Sequence, residues 1–407
     1  MSKRTRSATG RWRWASSRRP ALATDAPGRR TFGLYVHWPF CEALCPYCNF
    51  NTRVGRNLDM DGWSRAFREV LHRHFRETEY VGCSSIYFGG GTPSMMNARV
   101  VGDVIEKVVE HWGLEMGAEI TLEANPASSD SQRFAQYRAS GVNRLSIGVQ
   151  SLCDNSLRQL GRRHTASEAR TAFDLATGSF ENVSIDLIFG RQRQSLGEWI
   201  DELSEACSWG ADHLSLYQLT VEPETPFGQR LRAGRLPGLP DDELASAMLS
   251  ETAALCAGFG YGQYEVSNYA RPGREGRHNL LYWRGGDYLG VGPGAHGRVS
   301  SGGERFATET ELSPAAWQAA VNNSGTGESL RTRLDPTEQA NEYLMTSIRL
   351  AEGTGIDRFI ALGGSEFDRG TLDLLERNGL ACVEDGRIRA TASGMLVLNR
   401  IIAELIR

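Results

Sequence analysis

The chain has 407 residues, 40% hydrophobic and 23% charged, with eight cysteines, an ordinary globular composition with room for one large domain or two. No run reaches the roughly eighteen consecutive apolar residues that a spanning helix needs, which excludes one. The net charge of −4 hides an asymmetry: residues 1–30 hold nine Lys or Arg against Asp25 alone, the remaining 377 carry a net −12, and so acidic a body excludes casual nucleic-acid binding.

Residues 1–30 space their arginines with Ser, Ala, Pro and Gly and show no sustained apolar face, so this tail reads as a disordered, solvated extension. Its Arg-rich, acid-poor make-up also fits an organellar transit peptide. Arg11-Trp12-Arg13-Trp14 would suit an anionic membrane surface, which is peripheral contact at most. The chain has only two lysines, Lys3 and Lys107, against 43 arginines. A preference that runs through the acidic body as well reads as coding bias.

From Phe32 onward short β-rich runs alternate with longer helical ones. The runs Leu34 to Val36, Ser85 to Phe88, Glu119 to Glu123, Arg144 to Val149, Val183 to Phe189 and His213 to Leu219 read as strands. Trp63 to His74, Val100 to Trp112 and Ala166 to Ala176 between them have helical periodicity. Six β-then-α units predict an α/β fold with a parallel sheet, open or closed into a barrel, and chemistry at the carboxyl ends of the strands. A further helix is expected over Asp241 to Phe259, followed by a Gly-rich segment from Arg271 to Gly303. Beyond about residue 310 the alternation stops. Helical patterns at Pro336 to Leu350 and Gly370 to Asn378, a hairpin turned at Asp385-Gly386 and a closing amphipathic helix predict a small, winged-helix-like unit. Its 10 Arg, no Lys and 14 acids over 311–407 argue against DNA and for packing or interaction. The expected organisation is a tail at 1–30, a main domain at 31–310 and a C-terminal unit at 311–407.

Five cysteines, Cys83, Cys153, Cys207, Cys256 and Cys382, follow no repeated spacing and read as small buried hydrophobes. The other three, Cys41, Cys45 and Cys48, lie in the loop after the first strand. Such crowding points to metal or cluster ligation in a reducing compartment. Three thiolates can ligate three corners of a four-iron cluster, leaving the fourth iron open. A zinc site completed by His37 is the competing reading.

The run Tyr35-Val36-His37-Trp38-Pro39-Phe40-Cys41 with Cys45-Pro46-Tyr47-Cys48 resembles the radical S-adenosylmethionine proteins. More narrowly, it resembles the branch that holds oxygen-independent coproporphyrinogen III oxidase and the HemW-like haem chaperones. The resemblance covers nearly everything from Phe32 onward. It implies a partial (β/α)6 barrel with a C-terminal domain of the HemN type. It also implies a [4Fe-4S] cluster on Cys41, Cys45 and Cys48, whose open iron chelates S-adenosylmethionine, and an external electron donor.

The same resemblance assigns cofactor contacts along the strand ends. Gly90, Gly91 and Thr92, in Gly89-Gly90-Gly91-Thr92-Pro93, would hold the methionine amino group. Glu123 would face an ammonium or a ribose diol, and Tyr35 matches a first-site contact. Gln150, Arg162 and Asp186, with Tyr47, match positions that surround a second S-adenosylmethionine in the oxidase branch. Read without the family, the glycines are a tight loop, and the polar residues are solvated acids, hydrogen-bonders or ion-pair partners. Two departures from the family concern loops: Arg191-Gln192-Arg193-Gln194 replaces a common Pro-Gly turn, and Asn49 stands where many HemW-like chains have Asp.

Two positions separate the branches. The oxidases have a fourth cysteine where this chain has Phe50, as the HemW-like proteins do. His278-Asn279-Leu280-Leu281-Tyr282-Trp283 matches the His-Asn-x-x-Tyr-Trp motif associated with haem, and Tyr264 to Tyr269 upstream fits the same branch. Imidazole suits the iron and aromatic faces suit the macrocycle. His278, in the motif, and His296, in Gly294-Ala295-His296-Gly297, are both candidates for the iron ligand. The resemblance thus implies a haem chaperone that delivers haem to acceptor proteins in a bacterial cytoplasm, with mitochondrial import of the basic tail the lesser alternative. An oxygen-independent coproporphyrinogen III oxidase, decarboxylating propionates by hydrogen abstraction, is the runner-up. A bare electron-transfer module would not need the pocket residues.

Overall fold

In the computed structural model, which describes residues 30–406, the first apolar run forms β1 (Phe32–Trp38). Leu34, Val36 and Trp38 are fully buried in it. Residues 1–29 of the basic tail, with the Arg11-Trp12-Arg13-Trp14 run, lie outside the described residues. Five further strands follow with helices between them: β2 (Cys83–Gly90), β3 (Leu114–Ala124), β4 (Arg144–Gln150), β5 (Val183–Phe189) and β6 (His213–Gln218). All pair in parallel, in sequence order. Their apolar runs are near-continuous because helices cover the outer face.

Helix Met60–Glu77 starts at Asp59, whose carboxylate accepts from Gly62 N, and buries Trp63, Phe67, Val70 and Leu71. Helices Ala166–Thr177 and Leu196–Ser208 open on capping boxes, Thr165 with Glu168 and Ser195 with Glu198. Their buried faces form one core with the sheet, around Trp38, Phe67, Phe88, Leu122, Ile185 and Trp199.

The sheet does not close on itself. Among the described residues it has twelve strands. Beyond β6 lie β7 (Gly262–Gln263) and β8 (Asn268–Ala270), antiparallel. On the other side β9 (Tyr288–Val291) pairs in parallel with β1. It is followed by antiparallel β10 (His296–Ser301), β11 (Glu304–Thr310) and β12 (Glu328–Arg333). The Gly-rich segment therefore supplies strands to the sheet. Residues 311–333, expected with the C-terminal unit, pack with the barrel instead: Trp317 and Val321 of helix Pro314–Ser324 join the first core.

A second core gathers Tyr343, Leu344, Phe359, Leu375, Ile388 and Ile401 under a three-stranded sheet. Its hairpin turns at Asp385 and Gly386, with φ of 50° and 69°, the two left-handed residues of a type I′ turn. The unit docks on the barrel through Ala351 N donating to Tyr264 O and through the Arg284–Glu352 and Arg298–Glu342 pairs. Cys83, Cys207 and Cys256 are buried as expected. Cys153 is exposed, because it occupies the N-cap of helix Asp154–Gln159 at the surface.

Candidate functional site

The cysteine loop leaves β1 and returns through a two-residue parallel pairing, Phe40–Cys41 against Arg53–Val54. Cys48 N donates to Cys45 O, closing the tight turn that brings the second and third thiols to one side. Burial pushes the Cys41 thiol up to about 11 and raises Cys48, so these thiols ionise only with compensation. Among the described residues no three His, Cys, Asp or Glu side chains converge tightly enough to hold one metal ion. A four-iron cluster takes each thiolate on a different iron and needs no such convergence. The zinc alternative loses its fourth ligand: His37 Nδ1 meets the Tyr35 hydroxyl and Nε2 meets Asn51 O, both at 3.0 Å.

The glycine run at the end of β2 lies against this loop. Gly91 N donates to Trp38 O and Thr92 N to Phe40 O. A Cβ on Gly91 would stand 2.7 Å from Phe40 O and 3.0 Å from Cys41 Sγ, so only bare backbone fits there. Gly90 is left-handed, with φ of +110°, and its N–H donates to Glu123 Oε2 at 3.2 Å. The other Glu123 oxygen accepts from the Tyr87 hydroxyl at 2.8 Å. Burial, with Asp186 nearby, pushes the Glu123 carboxyl up to about 7. Asp186, at the middle of β5, accepts from Ser146 Oγ and is likewise raised by burial. A cationic ligand beside these two buried acids would offset the cost of their charge.

Arg162 reaches back to the loop, with Nη1 3.6 Å from Cys45 Sγ and Nη2 donating to Gly148 O. Its Nε is buried without a hydrogen-bond partner among the described residues. Tyr47 interacts with Arg162 and Cys45 and rests on Phe227 at 6.4 Å. Gln150 is held at a left-handed φ of 67°, where β4 breaks register with β5. The strain is sustained from below: Glu202 Oε1 accepts from Ser151 Oγ at 2.6 Å and Leu152 N at 2.7 Å. Glu202 is in turn paired with buried Arg191, so the loop that departs from the family pattern is an anchor for the Gln150 turn.

Inside the barrel mouth lies a cavity of about 610 Å³. Tyr35, Tyr87, Tyr217, Tyr282, His278 and His296 are among its lining residues. His278 is the second residue of helix Arg277–Trp283 and is 5% exposed. Its ring stacks on Tyr87 at 5.3 Å, and Nδ1 meets Ser85 Oγ at 2.9 Å. Nε2 makes no hydrogen bond among the described residues, and burial pushes the imidazole down to about 4, which keeps it neutral. A neutral ring fixed through one nitrogen with the other open is the usual state of a metal-ligating histidine. Tyr282 lines the cavity, while Trp283 packs against Tyr282 at 4.9 Å outside it.

All ten expected cofactor-contact residues and the three cysteines thus lie at the strand ends or in the space they enclose. The sequence reading missed the polar floor. Arg144 and Glu119 form a buried pair at 2.9 Å, and Glu119 also accepts the N–H groups of Arg277 and His278. His213 lines the same cavity, bonded to the Tyr264 hydroxyl at 2.9 Å. In sequence these are alternate polar residues on strands, the pattern of a solvated face; only the curvature of the sheet turns them inward.

Comparison with known proteins agrees with this fold. Residues 35–206 match the Radical SAM superfamily, and residues 334–397 match the HemN C-terminal domain. The chain is 37% identical to a mitochondrial radical S-adenosyl methionine domain-containing protein 1 of Bos taurus, over 96% of this chain and 92% of that one. It is 36% identical to the heme chaperone HemW of Escherichia coli (strain K12), over 91% and 96%. The solved structure of coproporphyrinogen III oxidase (HemN) from Escherichia coli superposes with a TM-score of 0.78 at 23% identity, covering 93% of this chain and 91% of that one, a likeness of fold.

Proposed function

The chain belongs to the radical SAM superfamily, in the family that includes the heme chaperone HemW, and from that premise we propose that it binds haem and delivers it to acceptor proteins. The observation that carries the reading is His278, a neutral imidazole with Nε2 open to an aromatic cavity beside the cysteine loop.

Cys41, Cys45 and Cys48 are the proposed ligands of a [4Fe-4S] cluster. The donor set, the bare backbone of Gly91 against Cys41 and the unpartnered Arg162 Nε fit that group with S-adenosylmethionine beside it. Such a cluster supplies one-electron chemistry to a bound sulfonium, drawing on an external electron donor. Around it Gly90, Gly91 and Thr92 present backbone, Glu123 presents a carboxylate, and Tyr35 closes one wall. Gln150, Arg162, Asp186 and Tyr47 form the other side of the same space. The proposed unit boundary falls after Arg333, where the sheet ends. No described helix is long and apolar enough to cross a membrane. We place the protein in the cytoplasm, with mitochondrial import through the basic tail as the alternative.

The test is an anaerobic haem titration of the reconstituted protein. His278→Ala should abolish the Soret band that develops on uptake while leaving iron and sulfide content unchanged. Undiminished uptake by that variant would remove His278 from the site.

A further inference from the structure

We propose that His296 is a second haem-iron ligand, set at the mouth of the cavity whose inner wall carries His278. The inference rests on the haem reading above and adds the position from which haem leaves.

His296 opens β10, and both imidazoles line the one cavity. They differ in exposure. His278 is buried, whereas the His296 side chain is 59% exposed. His296 Nδ1 stands 4.0 Å from Glu309 Oε1, and Glu309 is its cross-strand register partner on β11. A carboxylate on the Nδ1 side leaves Nε2 as the nitrogen that would meet a metal. The backbone there is rigid: Ala295 N donates to Thr310 Oγ1 at 2.8 Å, and Thr310 Oγ1 donates to Gly292 O at 2.6 Å.

Two large apolar side chains share the lining with this imidazole, Phe50 at 64% and Leu312 at 61% exposure. Neither is held out by accident. Asn51 Nδ2 donates to both Pro293 O and Leu312 O at 2.9 Å, and His37 Nε2 meets Asn51 O. The tip of the cysteine loop is thereby bolted to the β9–β10 turn and to the segment after β11. An imidazole and solvent-facing apolar groups in one lining suit the iron and the edge of a planar macrocycle. An exposed ligand is also one an acceptor's own ligand can displace, which a buried His278 does not offer.

The experiment loads the anaerobically reconstituted full chain with one equivalent of haem and records its ligation by absorption and electron paramagnetic resonance. The wild type should be six-coordinate and low-spin. His296→Ala should keep haem but become five-coordinate and high-spin, and added imidazole should restore the low-spin spectrum. A His296→Met variant should remain six-coordinate with altered bands. Phe50→Ala should weaken haem binding roughly tenfold, as expected for a large apolar side chain lost from a contact. A low-spin spectrum unchanged in His296→Ala overturns the proposal and leaves the haem reading intact. If Phe50→Ala and His296→Ala alter only the rate of transfer to an apo-globin, the mouth is a protein-docking surface and the proposal also falls. No haem uptake by the wild type overturns the haem reading itself.

Discussion

Replacing Glu119 by Gln should destabilise the fold by about 3–5 kcal/mol and loosen His278, although Glu119 belongs to no motif. Its carboxylate is 6% exposed and receives Arg144 Nη1 at 2.9 Å, Arg277 N at 3.2 Å and His278 N at 3.3 Å. Gln keeps the shape and removes the charge. The equally buried guanidinium of Arg144 then faces a neutral amide and the Ser184 hydroxyl, 3.2 Å from Nε and 2.7 Å from Nη2, with no charge to compensate it. That is the case of one partner removed from a buried pair, which sets the magnitude. Urea unfolding followed by tryptophan fluorescence measures it, and haem affinity should fall by at least about tenfold, as for other groups that orient a ligand. The double variant with Arg144→Met should recover most of the stability, because the uncompensated charge is gone. A single variant within about 1 kcal/mol of wild type, or a double variant no better than the single, refutes the reasoning. Acid provides a further check. Burial alone would raise this carboxyl, but Arg144 and the two N–H donors outweigh it and hold the group below its usual 4.5. Its contribution is therefore complete above about pH 4.5 and is lost as pH falls through the depressed value.

Burial pushes His278 and His164 from 6.5 down to about 4, and lowers His74 and His213 as well. The unfolded chain takes up these protons first, so stability is complete above about pH 6.5 and declines toward pH 4, by about 3 kcal/mol for His278 alone. A melting temperature flat between about pH 6.5 and 4.5 contradicts this. Cys45→Ala should abolish the broad iron–sulfur absorption of the reconstituted protein, and its survival removes Cys45 from the ligand set. Gln150→Gly relieves a left-handed φ of 67° and should raise stability by about 1 kcal/mol while weakening S-adenosylmethionine binding, read by equilibrium dialysis. A loss of stability would mean that the Gln150 side chain, not its backbone, matters to the fold.

Much of the scaffold was legible because its strands are buried on both faces and read as apolar runs. The run Val183 to Phe189 coincides with β5, and the Asp385-Gly386 turn has the geometry that residue pair favours. The cysteine spacing and the strand-end positions were legible for the same local reason. The far side of the sheet was not. Tyr288–Val291 pairs with β1 across more than 250 residues, in a segment whose glycines mask any strand propensity. Register between such distant segments depends on shape, not on local pattern. The Arg144–Glu119 pair and His213 were hidden because an inward polar residue in an open barrel alternates just as an outward one does. The role of Arg191 rests on a tertiary contact that no local pattern encodes, its guanidinium pairing with Glu202 beneath the Gln150 turn.

The most direct test of the account follows porphyrin chemistry and haem transfer in one anaerobic preparation. The reconstituted protein receives a reductant, S-adenosylmethionine and coproporphyrinogen III in one arm, and haem followed by an apo-haem protein in the other. The account predicts no decarboxylation in the first arm. In the second it predicts His278-dependent haem uptake, then transfer faster than from free haem. Formation of protoporphyrinogen, or haem that never reaches the acceptor, contradicts it.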